Sequence, residues 1–61
     1  MTAQLVRILA AIAASQARVA AMQAKNIERL CSEKSIAYGE EAFLDEADLL
    51  EKLSIEATDA A

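Results

Sequence analysis

Between Ala3 and Ser32 the chain has neither proline nor glycine, and alanine is its commonest residue there. Backbone N–H and C=O groups must be paired, and a run of such helix formers pairs them most simply within one continuous helix. Thr2 stands where a hydroxyl can accept from an orphan N–H of the first turn, so it is the expected N-cap. At 100° per residue, Leu5, Ile8, Leu9, Ile12, Val19, Met22, Ile27 and Leu30 fall in one broad apolar arc. Alanines with Val6 form a strip of small residues beside it, and Arg7, Arg18, Lys25 and Arg29 form a basic stripe on a third side.

The stretch CSEKSIAYG interrupts this pattern, because Ser32, Ser35 and Gly39 favour non-helical backbone. A second helix is expected after Gly39, an acceptable N-cap, with Glu40 and Glu41 opposing the helix dipole in its first turn. Phe43, Ala47, Leu50, Leu53 and Ala57 predict its buried face, with acidic residues opposite and the final ATDAA frayed. The reading is one all-α domain, a two-helix hairpin: a long helix over about 3–32, a turn over 33–39 and a helix over 40–57.

Length makes this hairpin precarious. A core built from 61 residues seldom supplies more than about 3–5 kcal/mol, and small folds add disulfides, a metal or a second chain. Cys31 is the sole cysteine and histidine is absent, so an internal disulfide and a Cys/His zinc cluster are both excluded. A first helix of some 30 residues is about 45 Å long, and a second of some 17 only about 26 Å. On those lengths the second helix stops short of Leu5, Ile8 and Leu9. A homodimer built on Leu5, Ile8, Leu9, Ile12 and Val19, giving a four-helix arrangement, is the expected cover.

Chemistry is sparse. Without an imidazole, Cys31 and the serines lack the usual base of a nucleophilic site, so no catalytic residue, cofactor site or metal site is assigned and no enzymatic activity is expected. Cys31 is read as a small packing residue and the DEAD run, Asp45–Asp48, as a solvated helix face. Charge is divided unevenly: the chain carries −4 overall, with the basic residues mostly before Ile36 and the acidic ones after it. A doubled stripe of Arg7, Arg18, Lys25 and Arg29 is the route by which a dimer would touch nucleic acid, though an acidic protein whose second helix repels phosphates makes this the alternative reading. Protein recognition fits better, with Ile36 and Tyr38 in the turn and Leu44, Leu49 and Ile55 on the second helix as candidate contacts. The apolar opening has some features of an exported leader, but Arg7 lies inside the run. Gln16, Arg18, Gln23 and Lys25 break it too early for a membrane span. A cytoplasmic protein with no membrane contact is expected.

The segment SIAYGEEAF, preceded by MQAKNIERLCSEKS, resembles small uncharacterised helical-hairpin proteins of tailed phages and prophages, over about Met22–Leu53. Cys31 and Lys34 stand at the turn where those proteins suggest a helix-ending glycine. The resemblance implies a phage accessory protein, in the cytoplasm of a bacterial host, that binds and modulates a host protein such as a transcription regulator. A structural component of phage assembly is the other role it implies.

Overall fold

The computed structural model describes residues 2–60 and contains two helices, α1 (Ala3–Cys31) and α2 (Glu40–Ala60), folded into an antiparallel hairpin. Among the described residues there is no strand. Thr2 caps α1 as expected: its hydroxyl accepts from the Leu5 N–H at 3.0 Å. α2 opens on Glu40 and Glu41, whose charge opposes the helix dipole.

The C-terminus of α1 closes on a Schellman motif. The Lys34 N–H donates to the Arg29 carbonyl at 2.8 Å, and the Glu33 N–H donates to the Leu30 carbonyl at 3.1 Å. That pair of bonds requires a left-handed residue after the cap, and Glu33 takes it at φ 59°. Glycine usually fills this position because it has no Cβ to strain; a glutamate holds it at a cost. Gly39, by contrast, has an ordinary negative φ, and a Cβ there would meet nothing within 4 Å.

The seam of α1 is a strict alternation of three and four steps: Leu5, Ile8, Ile12, Ser15, Val19, Met22, Asn26 and Arg29, every one buried or half-buried. α2 answers with Phe43, Glu46, Leu50, Leu53, Ala57 and Ala60, also buried or half-buried. A 3.5-residue repeat on both helices is the packing of a left-handed helix pair. Two expectations are corrected here. Ala47 is exposed and Glu46 takes its place in the seam, because the carboxylate finds partners on α1. And α2 does not fray after Ala57 but runs to Ala60.

The register of α2 overturns the premise of the expected dimer: the loop runs back along α1, so α2 starts level with about Ala21 and not at the C-terminal end of α1. Pairing of Ser15 with Glu46 (below) puts Leu53 level with Ile8 and Ala57 level with Leu5, since both helices rise equally per residue. Ile8 is accordingly only 7% exposed, Leu53 8%, and Leu5, Ile12 and Val19 are half-buried within the hairpin. Of the five residues expected at a dimer interface, Leu9 alone remains exposed. The broad apolar arc of α1 is thus two faces, and Leu9, Ile27 and Leu30 belong to the uncovered one.

The result is long and thin, 47 × 17 × 8 Å between Cα extremes, with a radius of gyration of 14.6 Å. A globular chain of this length would have about 10.5 Å. Replacing Glu33 by glycine should relieve the left-handed strain and raise stability by about 0.5–1 kcal/mol, after allowing for the extra freedom glycine gives the unfolded chain. Urea unfolding followed by circular dichroism checks this; an unchanged or lower midpoint would contradict it.

Candidate functional site

Polar residues enter the seam at two places, one near its middle and one against the turn. The first is a layer about midway along α1. Ser15, wholly buried, donates from Oγ to Glu46 Oε2 at 2.6 Å. Arg18, one turn along, donates from Nε to Oε1 at 2.7 Å and from Nη2 to Oε2 at 3.2 Å, a two-pronged grip on the same carboxylate. The Glu46 side chain is 16% exposed and that of Arg18 49%, so the pair sits at the seam's rim with its acid end inside. Hydrogen bonding from Arg18 and then Ser15 lowers the Glu46 pKa below its ordinary value, and the same contact raises that of Arg18.

The second polar entry lies where α1 runs past the start of α2. Beyond Met22 the seam of α1 faces the connecting loop, whose backbone groups need partners. Asn26 supplies three bonds. Its Oδ1 accepts from the N–H groups of Ala37 (3.0 Å) and Tyr38 (2.9 Å), and its Nδ2 donates to the Tyr38 carbonyl at 2.7 Å. Arg29 Nε donates to the Ser35 carbonyl at 2.7 Å. The loop is thereby pinned at both ends of Ile36–Tyr38. Among the described residues no buried side-chain polar atom lacks a partner.

Pinning leaves the loop's apolar side chains outward. Tyr38 is 39% exposed and borders an open apolar cavity of about 250 Å³ with Arg18, Ala21 and Met22; Ile36 is about half exposed. Leu44 and Ile55 are exposed too, and their spacing of eleven residues, three helical turns, puts them on one side of α2. Leu49 is half-buried and projects roughly 140° away from Leu44, on a flank of the seam. The five expected contact residues therefore do not form one patch. Ile36 and Tyr38 share the loop, Leu44 lies just past it and Ile55 three turns away.

The basic stripe is largely engaged within the chain. Arg18 holds Glu46, Arg29 holds the loop, and Lys25 lies 3.6 Å from Glu28. Of the four, Arg7 alone has no polar partner among the described residues. Asp45 and Asp48 are exposed, as expected of a solvated face, while Cys31 is exposed rather than packed. No group of three or more His, Cys, Asp or Glu side chains converges to hold a metal ion among the described residues. α1 also contains an 18-residue window of mean hydropathy 1.5, so it is long and apolar enough to cross a membrane by length and composition. Gln16, Arg18, Gln23 and Lys25 thus break the apolar run less completely than the sequence reading required.

Sequence reasoning missed Asn26 and Glu46, although both continue the three-four spacing of their neighbours. Asn26→Ala should free the loop and cost about 1–3 kcal/mol, three modest hydrogen bonds less what water replaces. Hydrogen exchange at the Ala37 and Tyr38 amides should lose its protection while the middle of α1 keeps its own. The Glu46 contribution is present above the ordinary carboxylate value of 4.5 and is lost as pH falls through the lower folded value. Glu46→Gln should therefore be less stable than the parent at neutral pH. The gap should close as the solution is acidified below that range, and a gap independent of pH would exclude this ion pair as its source.

No protein-family model matches the chain, and no curated protein or solved structure matches it either.

Proposed function

We propose that this chain is a small, non-enzymatic protein-binding module that works as a homodimer and presents its loop end to a partner. The observation that carries the reading is the loop itself: Ile36 and Tyr38 are exposed on a backbone held by Asn26 and Arg29. An apolar anchor already fixed in place loses little conformational freedom on binding, so more of its contact energy appears as affinity. Tyrosine suits the position, with a large ring to bury and a hydroxyl to satisfy. The neighbouring cavity, walled by Ala21 and Met22 with the Arg18 guanidinium at its edge, gives a partner's side chain somewhere to enter.

The resemblance of Met22–Leu53 to phage hairpin proteins supports a host protein, such as a transcription regulator, as the partner, and the host cytoplasm as the setting. Binding at the loop would act by covering a surface of the target, since the chain brings no chemistry of its own.

The test is site-specific photocrosslinking in a bacterial host, with a photoreactive phenylalanine analogue at position 38 and, separately, at the exposed position Thr58. A defined protein should crosslink from position 38 and not from 58. Its affinity, measured with the purified pair, should fall by at least about thirtyfold in Tyr38→Ala, the scale of a hot-spot truncation. The same products from both positions, or an affinity indifferent to Tyr38, would refute the loop as the binding end.

A further inference from the structure

The hairpin uses only one face of α1. On the other side, a second strip runs from Val6 to Cys31 by alternating steps of four and three, mostly alanines, with apolar side chains at its ends. Seam and strip lie roughly 150° apart around the helix, so α2 cannot cover both. Val6, Leu9, Ile27 and Leu30 are all exposed there.

The spacing of the strip is the same in either direction. About a point between Arg18 and Val19, Val6 stands opposite Cys31, Ala10 opposite Ile27 and Ala17 opposite Ala20. In an antiparallel pair with its two-fold axis at that point, each residue of the strip stands level with a strip residue of the partner. The flanks obey the same symmetry. On one flank Arg7 and the partner's Glu28 lie on the same side and two residues, about 3 Å, from level; on the other flank Leu9 and the partner's Leu30 do the same. Arg7 is the stripe residue without a polar partner among the described residues of the hairpin, so charge complementarity points to a second copy. Alanines at the centre permit the close helix approach that the pairing needs.

Surface area agrees. The chain exposes 4540 Å², where a folded monomer of 6.5 kDa exposes about 3,800 Å². The excess of about 700 Å² is close to the roughly 800 Å² that each partner buries in a stable interface of standard size.

We infer that two copies pair antiparallel through the Val6–Cys31 strip of α1, with Arg7 of each meeting the partner's Glu28. This rests on the homodimer proposed above and replaces the interface expected from the sequence. It gives the dimer a sense and a register. Helices then lie in a row, α2–α1–α1–α2, with the original seams intact.

Sedimentation of the intact protein tests the dimer, and three variants test the face. Ala17→Glu, at an exposed position, should be monomeric yet still helical. Arg7→Glu should weaken association by about five- to tenfold, and Arg7→Glu with Glu28→Arg should restore it to within about twofold, since two surface pairs are reversed and then re-formed. Val6→Cys, oxidised with copper phenanthroline in air, should give a covalent dimer in which the thiol introduced at position 6 is joined to the partner's Cys31. The two positions in one chain are too far apart along α1 to join, about 37 Å. The parent should form no disulfide between Cys31 residues, which stand at opposite ends of an antiparallel pair. A monomeric parent would sink both the dimer and this face. A dimer indifferent to Ala17→Glu would sink the face alone, and a ready Cys31–Cys31 disulfide would make the pairing parallel. Association only with phosphatidylglycerol-containing vesicles would assign the strip to a membrane.

Discussion

Glu46 is the residue on which the geometry of the hairpin depends. Most of the seam is aliphatic, and one aliphatic layer accepts another with little penalty, so two such helices could slide by a heptad and still bury apolar area. Sliding one way would set Ser15 level with Gly39, outside α2, and Glu46 level with Ile8. Sliding the other way would set Ser15 against Leu53 and Glu46 against Met22. Either shift would take the Glu46 carboxylate away from Ser15 and from the two-pronged grip of Arg18 while keeping it in the seam. A carboxylate left without hydrogen bonds there costs far more than a mismatched methyl group. A polar residue at a seam position is the best-attested way to fix register, and here a single one is met from two positions on α1.

That fixed register determines the rest. It sets the overhang of α1 beyond the start of α2, and hence which residues of α1 meet a loop in place of a helix. A helix offers side chains to a seam, whereas a loop offers unpaired backbone. Asn26 and Arg29 answer the backbone with hydrogen bonds, so the seam changes chemistry where its partner does. The same overhang leaves Tyr38 beside Ala21 and Met22, with an apolar cavity between them.

Much of this is legible in the residues alone and some is not, for reasons that can be located. Two helices and a break near Ser32 follow from the absence of breakers in Ala3–Cys31 and their clustering just after it. The N-cap at Thr2 follows from hydroxyl chemistry. Glu46 escapes a reading that sends every charged residue to water, and Ala47 attracts one by apolarity alone; the spacing of Phe43, Leu50 and Leu53 points to position 46. The end of α2 is hidden because ATDAA lacks large side chains, although Ala57 and Ala60 keep the repeat and nothing there stops a helix. The starting level of α2 matters more than its length: a loop that ran on past α1 would leave Ile8 uncovered, whereas Asn26 draws this loop back so that Leu53 reaches Ile8. Glu33 shows the reverse case, a left-handed residue that no propensity would choose, held by the two bonds that end α1.

The two repeats on α1 have a joint consequence for binding. With α2 on one face and, in the proposed dimer, a second α1 on the other, every apolar strip of α1 would be covered, and the exposed apolar side chains left would be those of the loop and Leu44 and Ile55 of α2. Antiparallel pairing would set the two loops on opposite sides of the axis, and with Asn26 holding each Tyr38 the two anchors would stand about 22 Å apart along the paired helices. One compact site on a target could not engage both. Two loops would bind the same target only where it repeats its own surface at that spacing, as a symmetric dimer or filament does, and the second contact would then form at high effective concentration. If the proposed dimer binds through its loops, its antiparallel sense would favour targets that are themselves oligomeric, and that preference would follow from where the axis crosses α1.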